Sequence, residues 1–395
     1  MNMDGNIRIV ERECVGCGNC ELVCPKSAIS MQSNREGFLY PVVDESLCVD
    51  CGLCKTKCPQ LKSVHKAKFK KQAYIAISKN KKLYQSSASG GVFSSVATEF
   101  LNVGNAHVCG AAYLDGQVRH VLIDNAEGIR PLQGSKYVQS YLGSIFVKIR
   151  EVLNNGEKVL FSGTPCQVAA IKAYVGEDRE NLYTMDLICH GVPSPSFLKK
   201  DLSLYGKDEI IQNIQFRKKH NLYKSKSYYF LTLKRSSSRT MVIPYNRDPY
   251  FNLFMEGKTF RYSCYNCHYA NLDRVGDVTI GDCDSSFKYP QFHGYEATST
   301  LIVNTQKGKE LLESFGKLLE TEYLDIIGES EKNHQLSYAS KLPEERNEIY
   351  QRIEKLDVGE LRDRYTKPYT LKAKVYRFLN VVLPPRIVSH LLEKR

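Results

Sequence analysis

Lys158 to Lys172 read KVLFSGTPCQVAAIK, and this stretch decides the class of fold. KVLF is an apolar run of strand length that breaks at Ser162-Gly163. A helix starts beyond it, with Thr164 as N-cap and Pro165 at its first position. Cys166 falls in the first turn of that helix, where unpaired N–H groups and the helix dipole favour negative charge. A thiol placed there is expected to ionise easily. It suits a nucleophile or a metal ligand; a small structural residue under the helix is the third reading.

The strand-then-helix alternation continues on both sides. QAYIAISK, HVCGAAYL, LYTMDLIC, DVTIG and TLIVNT read as strands, and SGGVFSSVATEFLN, GSIFVKIREVLNNG and KGKELLESFGKLLE as helices. The pattern predicts an α/β main domain over residues 72–325. Three of its strand-to-helix loops are rich in glycine and serine: SSASGGVFS (Ser86–Ser94), GSKYVQS (Gly134–Ser140) and SGTPC, with Gly163 and Thr164. Such loops suit a phosphorylated cofactor, because glycine permits close backbone approach and helix N-termini attract anions; turns packed on a sheet would read similarly. No GxGxxG follows a strand. GKT at Gly257–Thr259 imitates the end of a phosphate loop, but Asn252 stands where its first glycine is required.

Residues 1–62 carry a different chemistry. Cys14-x2-Cys17-x2-Cys20-x3-Cys24-Pro25 recurs as Cys48-x2-Cys51-x2-Cys54-x3-Cys58-Pro59, every cysteine offset by 34 positions. This is the bacterial ferredoxin spacing, in which three thiolates of a tight loop grip one 4Fe-4S cubane and the fourth serves the other. One cluster is therefore expected on Cys14, Cys17, Cys20 and Cys58, the other on Cys48, Cys51, Cys54 and Cys24. Gly16, Gly18 and Gly52 let the loops curl, and ISM and FLYPVV supply short strands. A zinc site from CxxC pairs would leave the third cysteine and the proline of each run unexplained. So small an α+β domain has little core of its own, and its clusters are expected to hold it folded.

The bulk numbers fit this division. The chain has 395 residues and 42% hydrophobic content, enough for two or three domains. No apolar run approaches the ~18 residues of a membrane span, and MNMDGNIRIV lacks the core of a signal peptide. A cytoplasmic protein is expected, whose fourteen cysteines serve metal or redox chemistry and not disulfides. The net charge of +12 concentrates at 62–82, at 199–239 and in the last 25 residues. It suits acidic partners or a solvated basic face, and no nucleic-acid motif accompanies it. Residues 63–71 read as a basic linker.

Six cysteines lie outside the repeat: Cys109, Cys166, Cys189, Cys264, Cys267 and Cys283. Cys109 sits inside an apolar strand as plain core. Cys189 ends a strand in DLICHGVPSP, and Cys264 and Cys267 form CYNC. With Cys166 they make a candidate four-thiolate site, to which Cys283 is a spare or alternate ligand.

In combination, SSASGGVFS, GSKYVQS, FSGTPCQVAAIK, DLICHGVPSP, CYNCHYA and GDVTIGDC resemble the coenzyme F-420 hydrogenase/dehydrogenase beta subunit family of iron–sulfur flavoproteins. The resemblance implies FAD in the α/β domain, lined by Ser87, Ser89, Gly90, Gly91 and Lys136, and a third 4Fe-4S cluster on Cys166, Cys189, Cys264 and Cys267. It implies electron exchange with a low-potential carrier or redox partner protein, and a small-molecule or deazaflavin substrate. Relatives of this module order often accompany surface-polysaccharide genes. Cys283 departs from the aromatic that family members often carry after Gly-Asp. Lys136, beside an anionic reduced flavin, and His190, as proton donor or as a structural loop residue, are the catalytic candidates. The expected activity is a flavin-dependent iron–sulfur oxidoreductase; the alternative is a non-catalytic electron-transfer subunit docked on a partner enzyme. A thiol-nucleophile enzyme centred on Cys166 would leave CHGVPSP and CYNC without a purpose.

Residues 326–395 are expected to form a helical, basic C-terminal extension. Its last 25 residues hold six basic side chains against one acidic, beside Val375, Phe378, Leu379, Val382 and Leu383. Such a segment can make peripheral contact with an anionic membrane, or dock on protein; Pro384-Pro385 interrupts it.

Overall fold

The computed structural model describes residues 6–61, 69–176, 179–206, 209–217, 219, 229–236 and 240–366. Most of the expected basic linker and the whole of the 371–395 segment, with its membrane contact, lie outside the described residues. Among the described residues no helix is long and apolar enough to cross a membrane.

In the N-terminal module, strands β1 (Ile29–Ser33) and β2 (Leu39–Val43) pair antiparallel. Each cysteine loop ends in a one-turn helix, Asn19–Leu22 or Leu53–Thr56. The preceding glycines, Gly18 (φ 80°) and Gly52 (φ 73°), take the left-handed conformation that a side chain resists.

The main sheet has eight strands: β3 (Gln72–Ser78), β4 (Ala106–Leu114), β5 (Gln117–Ile123), β6 (Lys158–Gly163), β7 (Leu182–Leu187) and, after three strands of a second sheet, three more. The second sheet holds β8 (Ile211–Gln215), β9 (Phe230–Arg235) and β10 (Thr240–Pro244); β11 (Val278–Asp282), β12 (Ser299–Val303) and β13 (Leu319–Tyr323) complete the first. Its order is β13-β3-β12-β11-β7-β6-β4-β5. β4, β6, β7 and β11 run parallel and form the centre; β12, β3, β13 and β5 are antiparallel to their neighbours. The α/β expectation thus resolves into a mixed sheet. β3 reads as a continuous apolar run because Ile75, Ala76 and Ile77 are all fully buried, as befits a strand covered on both faces.

The helix after β6 begins as its residues dictate. It spans Pro165–Val175, and the Thr164 N–H donates to Gln167 Oε1 at 3.0 Å. The expected helix KGKELLESFGKLLE is shorter than its periodicity suggests. It ends at Phe315, Gly316 caps it, and LETEY becomes the edge strand β13 on β3. Between residues 326 and 366, helices span Ile326–Lys332, Arg346–Lys355 and Val358–Tyr365.

The second sheet, ordered β10-β9-β8, packs with helices Pro195–Gly206, Pro249–Met255 and Arg346–Lys355 around an aromatic core. Phe38, from the N-terminal hairpin, is completely buried in that core against Tyr350. The N-terminal module is therefore packed into the body of the protein, with more to hold it than its own metal groups. The basic stretch 199–239, expected to be mostly a solvated face, also sends cations inward: Arg217 is 9% and Lys219 6% exposed.

The SSASGG loop lies against the sheet, and a Cβ on Gly90 would stand 2.2 Å from the Ala76 carbonyl oxygen and 2.8 Å from Ser299 N. Both obstacles are backbone. The close approach that Gly90 permits is to β3 and β12. Gly90→Ala should accordingly destabilise by about 1–3 kcal/mol or more, as overpacking does, whereas Gly90→Ser offers no relief. Anaerobic urea titrations of the two variants against wild type measure this, and unchanged midpoints would contradict it.

Candidate functional site

The ferredoxin cysteines divide by position into two crossed groups. Cys17, Cys20 and Cys58 are buried and Cys14 half-buried. Cys17 lies in the field of Cys20, Cys14 and Cys58, and Cys20 in that of Cys14 and Cys58. The last cysteine of the second run thus stands with the first three of the first. Cys24 instead lines one pocket with Cys48, Cys51, Cys54, Pro25, Val49 and Leu53. Backbone N–H groups already aim at sulfur: Gly16 at Cys14 and Ala28 at Cys24, each at 3.3 Å. Among the described residues no three His, Cys, Asp or Glu side chains are grouped as a single metal ion would need.

A second constellation sits at the carboxyl ends of the central strands, the usual functional edge of such a sheet. Cys166 follows β6 and Cys189 follows β7; these strands are parallel neighbours with Gly163 opposite Asp186. Cys264 lies in the short helix Tyr262–Tyr265, and Cys267 just beyond it. Cys189 is in the field of Cys264, Cys166 and Cys267, and Cys264 in that of Cys166 and Cys267. All four are half-buried.

Removal from water pushes the Cys166 thiol up to about 11 and Cys264 up to about 12. The expectation that Cys166 ionises easily is therefore overturned for the iron-free chain. The Thr164 hydroxyl (3.1 Å) and Arg261 act downward on it, but desolvation outweighs them. A buried ion pair holds the CYNC loop to the strand end. Arg274 donates to Asp186 Oδ1 (3.0 Å), to the Leu187 carbonyl (2.8 Å) and to the Tyr269 carbonyl (2.8 Å). Cys109 is fully buried in an apolar core, as expected. Cys283 lies in another core, its thiol 3.8 Å from Glu329 Oε2.

The two constellations meet across the seam between module and body. Arg261, 1% exposed, donates to the Cys14 carbonyl (2.6 Å), the Leu39 carbonyl (2.7 Å) and Gln139 Oε1 (3.2 Å), with its guanidinium 4.0 Å above the Tyr40 ring. Gln139 donates to the Val15 carbonyl at 2.9 Å, and Asn19 to the Ala170 carbonyl at 2.8 Å. Tyr269 donates to the Pro59 carbonyl at 3.0 Å. Arg346 grips Glu36 with both nitrogens, at 2.8 and 2.7 Å. Arg261 and Arg346 carried no motif signal, and the motifs that contain Asn19, Gln139 and Tyr269 gave these side chains no role; the partners are hundreds of positions away in several cases.

Of the expected flavin-lining residues, Ser87, Ser89 and Gly90 lie where the loop meets β3 and β12. Ser89 donates to the Thr298 carbonyl at 2.8 Å, and Ser87 to that of Leu83 at 2.7 Å. Gly91 is left-handed at φ 91°. Lys136 donates to the Pro131 (2.9 Å) and Gln133 (2.7 Å) carbonyls, and desolvation brings it down to about 7. His190 lies at the surface; partial desolvation brings its imidazole down from the ordinary value, against the opposing pull of Asp282. The residues missed at the sequence level are Arg217, Lys219 and Asp282. Arg217 pairs with Asp282 at 2.5 Å, and Lys219 donates to the carbonyls of Tyr84 (2.6 Å), Ser87 (3.0 Å) and Ser89. Asp282 lies in GDVTIGDC without having been given a role, and the only trace of Arg217 and Lys219 in the sequence is the clustering of charge between 199 and 239.

Thiol groups of this spacing and enclosure define an iron–sulfur protein, and the comparisons agree. Residues 13–61 match the 4Fe-4S dicluster domain, and residues 156–327 match the family described as the C terminus of the coenzyme F420 hydrogenase/dehydrogenase beta subunit. Residues 156–327 thus carry the C-terminal part of that oxidoreductase-subunit family, behind an N-terminal 4Fe-4S dicluster domain. Among solved structures it is similar to a chain of the F420-reducing NiFe hydrogenase complex from Methanosarcina barkeri, at 16% identity, covering 74% of this chain and 90% of that one, with a TM-score of 0.46. No curated protein matches.

The crossed grouping has a direct test. Cys24→Ala should damage the cluster of Cys48, Cys51 and Cys54, and Cys58→Ala that of Cys14, Cys17 and Cys20. Electron paramagnetic resonance of the reduced single variants distinguishes the clusters. Loss of the same signal in both would exclude the crossing.

Proposed function

We propose that this protein is an oxidoreductase that passes single electrons from the dicluster module, through a third 4Fe-4S cluster on Cys166, Cys189, Cys264 and Cys267, to FAD at the SSASGG side of the sheet. The observation that carries the reading is the serial placement of the thiol groups. An outer group contains exposed Cys51, an inner group is buried, and a third lies at the strand ends next to it.

The residues present fit a flavin on one observation. Arg217 Nε is buried without a partner, while its other end is held on Asp282. An unpaired buried donor beside a glycine-serine loop suits an acceptor-rich ligand. When bound, a flavin collects two electrons and exchanges hydride with a substrate. This chain's own residues do the remainder. Ser87, Ser89 and Arg217 orient, Gly163 and Thr164 shape the loop over β6, and Lys136, brought down to about 7, holds or releases a proton near neutrality. His190, at the surface, is the proton donor toward solvent. The substrate is a small molecule or a deazaflavin of the F-420 kind, and the electrons come from or go to a low-potential carrier or partner protein. A place in surface-polysaccharide metabolism belongs to the same proposal on the motif resemblance alone.

Iron and flavin content test the reading. Three cubanes mean about twelve irons per chain after anaerobic reconstitution, and the dicluster module alone means about eight. Cys166→Ser should lower the higher figure by about four and leave both ferredoxin signals. Wild-type protein with eight irons and an alkylatable Cys166 would remove the third cluster, and failure to take up FAD would remove the flavin. Substrate turnover by the isolated chain separates an enzyme from an electron-transfer subunit.

A further inference from the structure

One side chain stands between the inner ferredoxin thiols and the third constellation. Tyr269 is 3% exposed, in the field of Cys17 and Cys58 on one side and of Cys166 and Cys267 on the other. Its hydroxyl donates to the Pro59 carbonyl at 3.0 Å, and its own carbonyl is gripped by Arg274, which the fully buried Asp186 holds. Pro59 directly follows Cys58, and Tyr269 stands two positions after Cys267. A bonded chain therefore runs from Cys58 to Pro59, crosses one hydrogen bond to the phenol, and continues through Tyr269 and His268 to Cys267.

A buried tyrosine hydroxyl needs an acceptor, and packing alone would be served by any interior carbonyl. Here the acceptor is the peptide next to a cysteine of one group, and the donor sits next to a cysteine of the other. Both ends are fixed. Arg274 pins the tyrosine backbone to the strand that delivers Cys189, while Asn19, donating to the Lys57 carbonyl at 3.0 Å and the Ala170 carbonyl at 2.8 Å, pins the Cys58 loop to the helix that carries Cys166 in its first turn.

We propose that Tyr269 is the positioning residue that couples the inner ferredoxin cluster to the third cluster, its hydrogen bond to Pro59 being the bonded link between them. This rests on the reading of Cys166, Cys189, Cys264 and Cys267 as cluster ligands. One electron leaves the iron group held by Cys14, Cys17, Cys20 and Cys58, which is oxidised by one equivalent, and reduces the iron group on the far side by one. Tyr269 stays a neutral phenol and keeps its proton throughout.

The conservative variant Tyr269→Phe keeps the ring and removes the link. Reconstituted anaerobically and reduced by dithionite, it should hold the iron of wild type and show the same individual cluster spectra. In rapid freeze-quench traces its third cluster should fill severalfold more slowly. Equal filling rates at equal iron would overturn the proposal. A second measurement does not depend on that variant folding. In fully reduced protein, the signal broadening that the third cluster suffers from a neighbouring spin should survive Cys24→Ser and vanish in Cys58→Ser. The opposite pattern would place the outer group next to it and overturn the junction. Wild-type iron of only about eight per chain would overturn the ligand reading itself, and the junction with it.

Discussion

The arrangement depends on a desolvated guanidinium. Arg261 is almost wholly removed from water, a state that is costly unless every donor is used and a countervailing field is near. Its nitrogens are spent on Cys14, Leu39 and Gln139, its flat face lies over Tyr40, and its charge acts on the thiols of Cys166 and Cys264. A lysine offers a point charge without the planar fork and could not satisfy these partners together. The cysteine loop is shaped to receive it. A Cβ on Gly16 would stand 2.9 Å from Gln139 Nε2 and 3.0 Å from an Arg261 nitrogen, and the residue is left-handed at φ 67°. Module and body are thereby fitted at the point where their thiol groups approach.

What could be read in the sequence follows from how far apart the cooperating residues lie. Each ferredoxin loop holds three of its ligands within seven positions, so spacing alone displays the chemistry, and the crossing of Cys24 and Cys58 repeats across one fixed offset. The central strands were legible because burial on both faces writes an uninterrupted apolar run, as in Ile75-Ala76-Ile77. Cys166, Cys189, Cys264 and Cys267 were legible as cysteines at strand ends, though only the motif resemblance joined them into one set. Arg261, Tyr269 and Arg274 were not legible. Each is an ordinary polar residue whose role is set by partners 247, 210 and 88 positions away. The helix KGKELLESFGKLLE was carried too far, over Leu319 and Glu320 at the start of LETEY, because alternation over five residues is a weak signal beside the preceding amphipathic run and the pairing with β3 is non-local. The ionisation of Cys166 was misjudged for a related reason. The helix N-terminus is visible in sequence, whereas the desolvation that outweighs it is a property of the assembled fold.

The two cysteine runs are near copies in sequence and unequal in structure, and their differences state which one faces the protein. Val15 in the first run packs against the core of the body, while its counterpart Val49 is 59% exposed. Gly16 answers to Asp50. Both positions are left-handed, but only the first is pressed against Arg261 and Gln139, so only there is a side chain excluded. Asn19 answers to Leu53: the asparagine is 1% exposed and bridges Lys57 to Ala170, the leucine is 42% exposed. A polar residue that bonds two backbones belongs where the loop is docked, and an apolar one left at the surface marks the open side. The internal symmetry of the module is therefore broken by two substitutions at matched positions and by the unequal burial of one shared valine. With Cys51 exposed and Cys17, Cys20 and Cys58 enclosed, that asymmetry gives the pair of iron sites an outside and an inside. A repeat alone would not supply this direction; the side chains that dock one copy do.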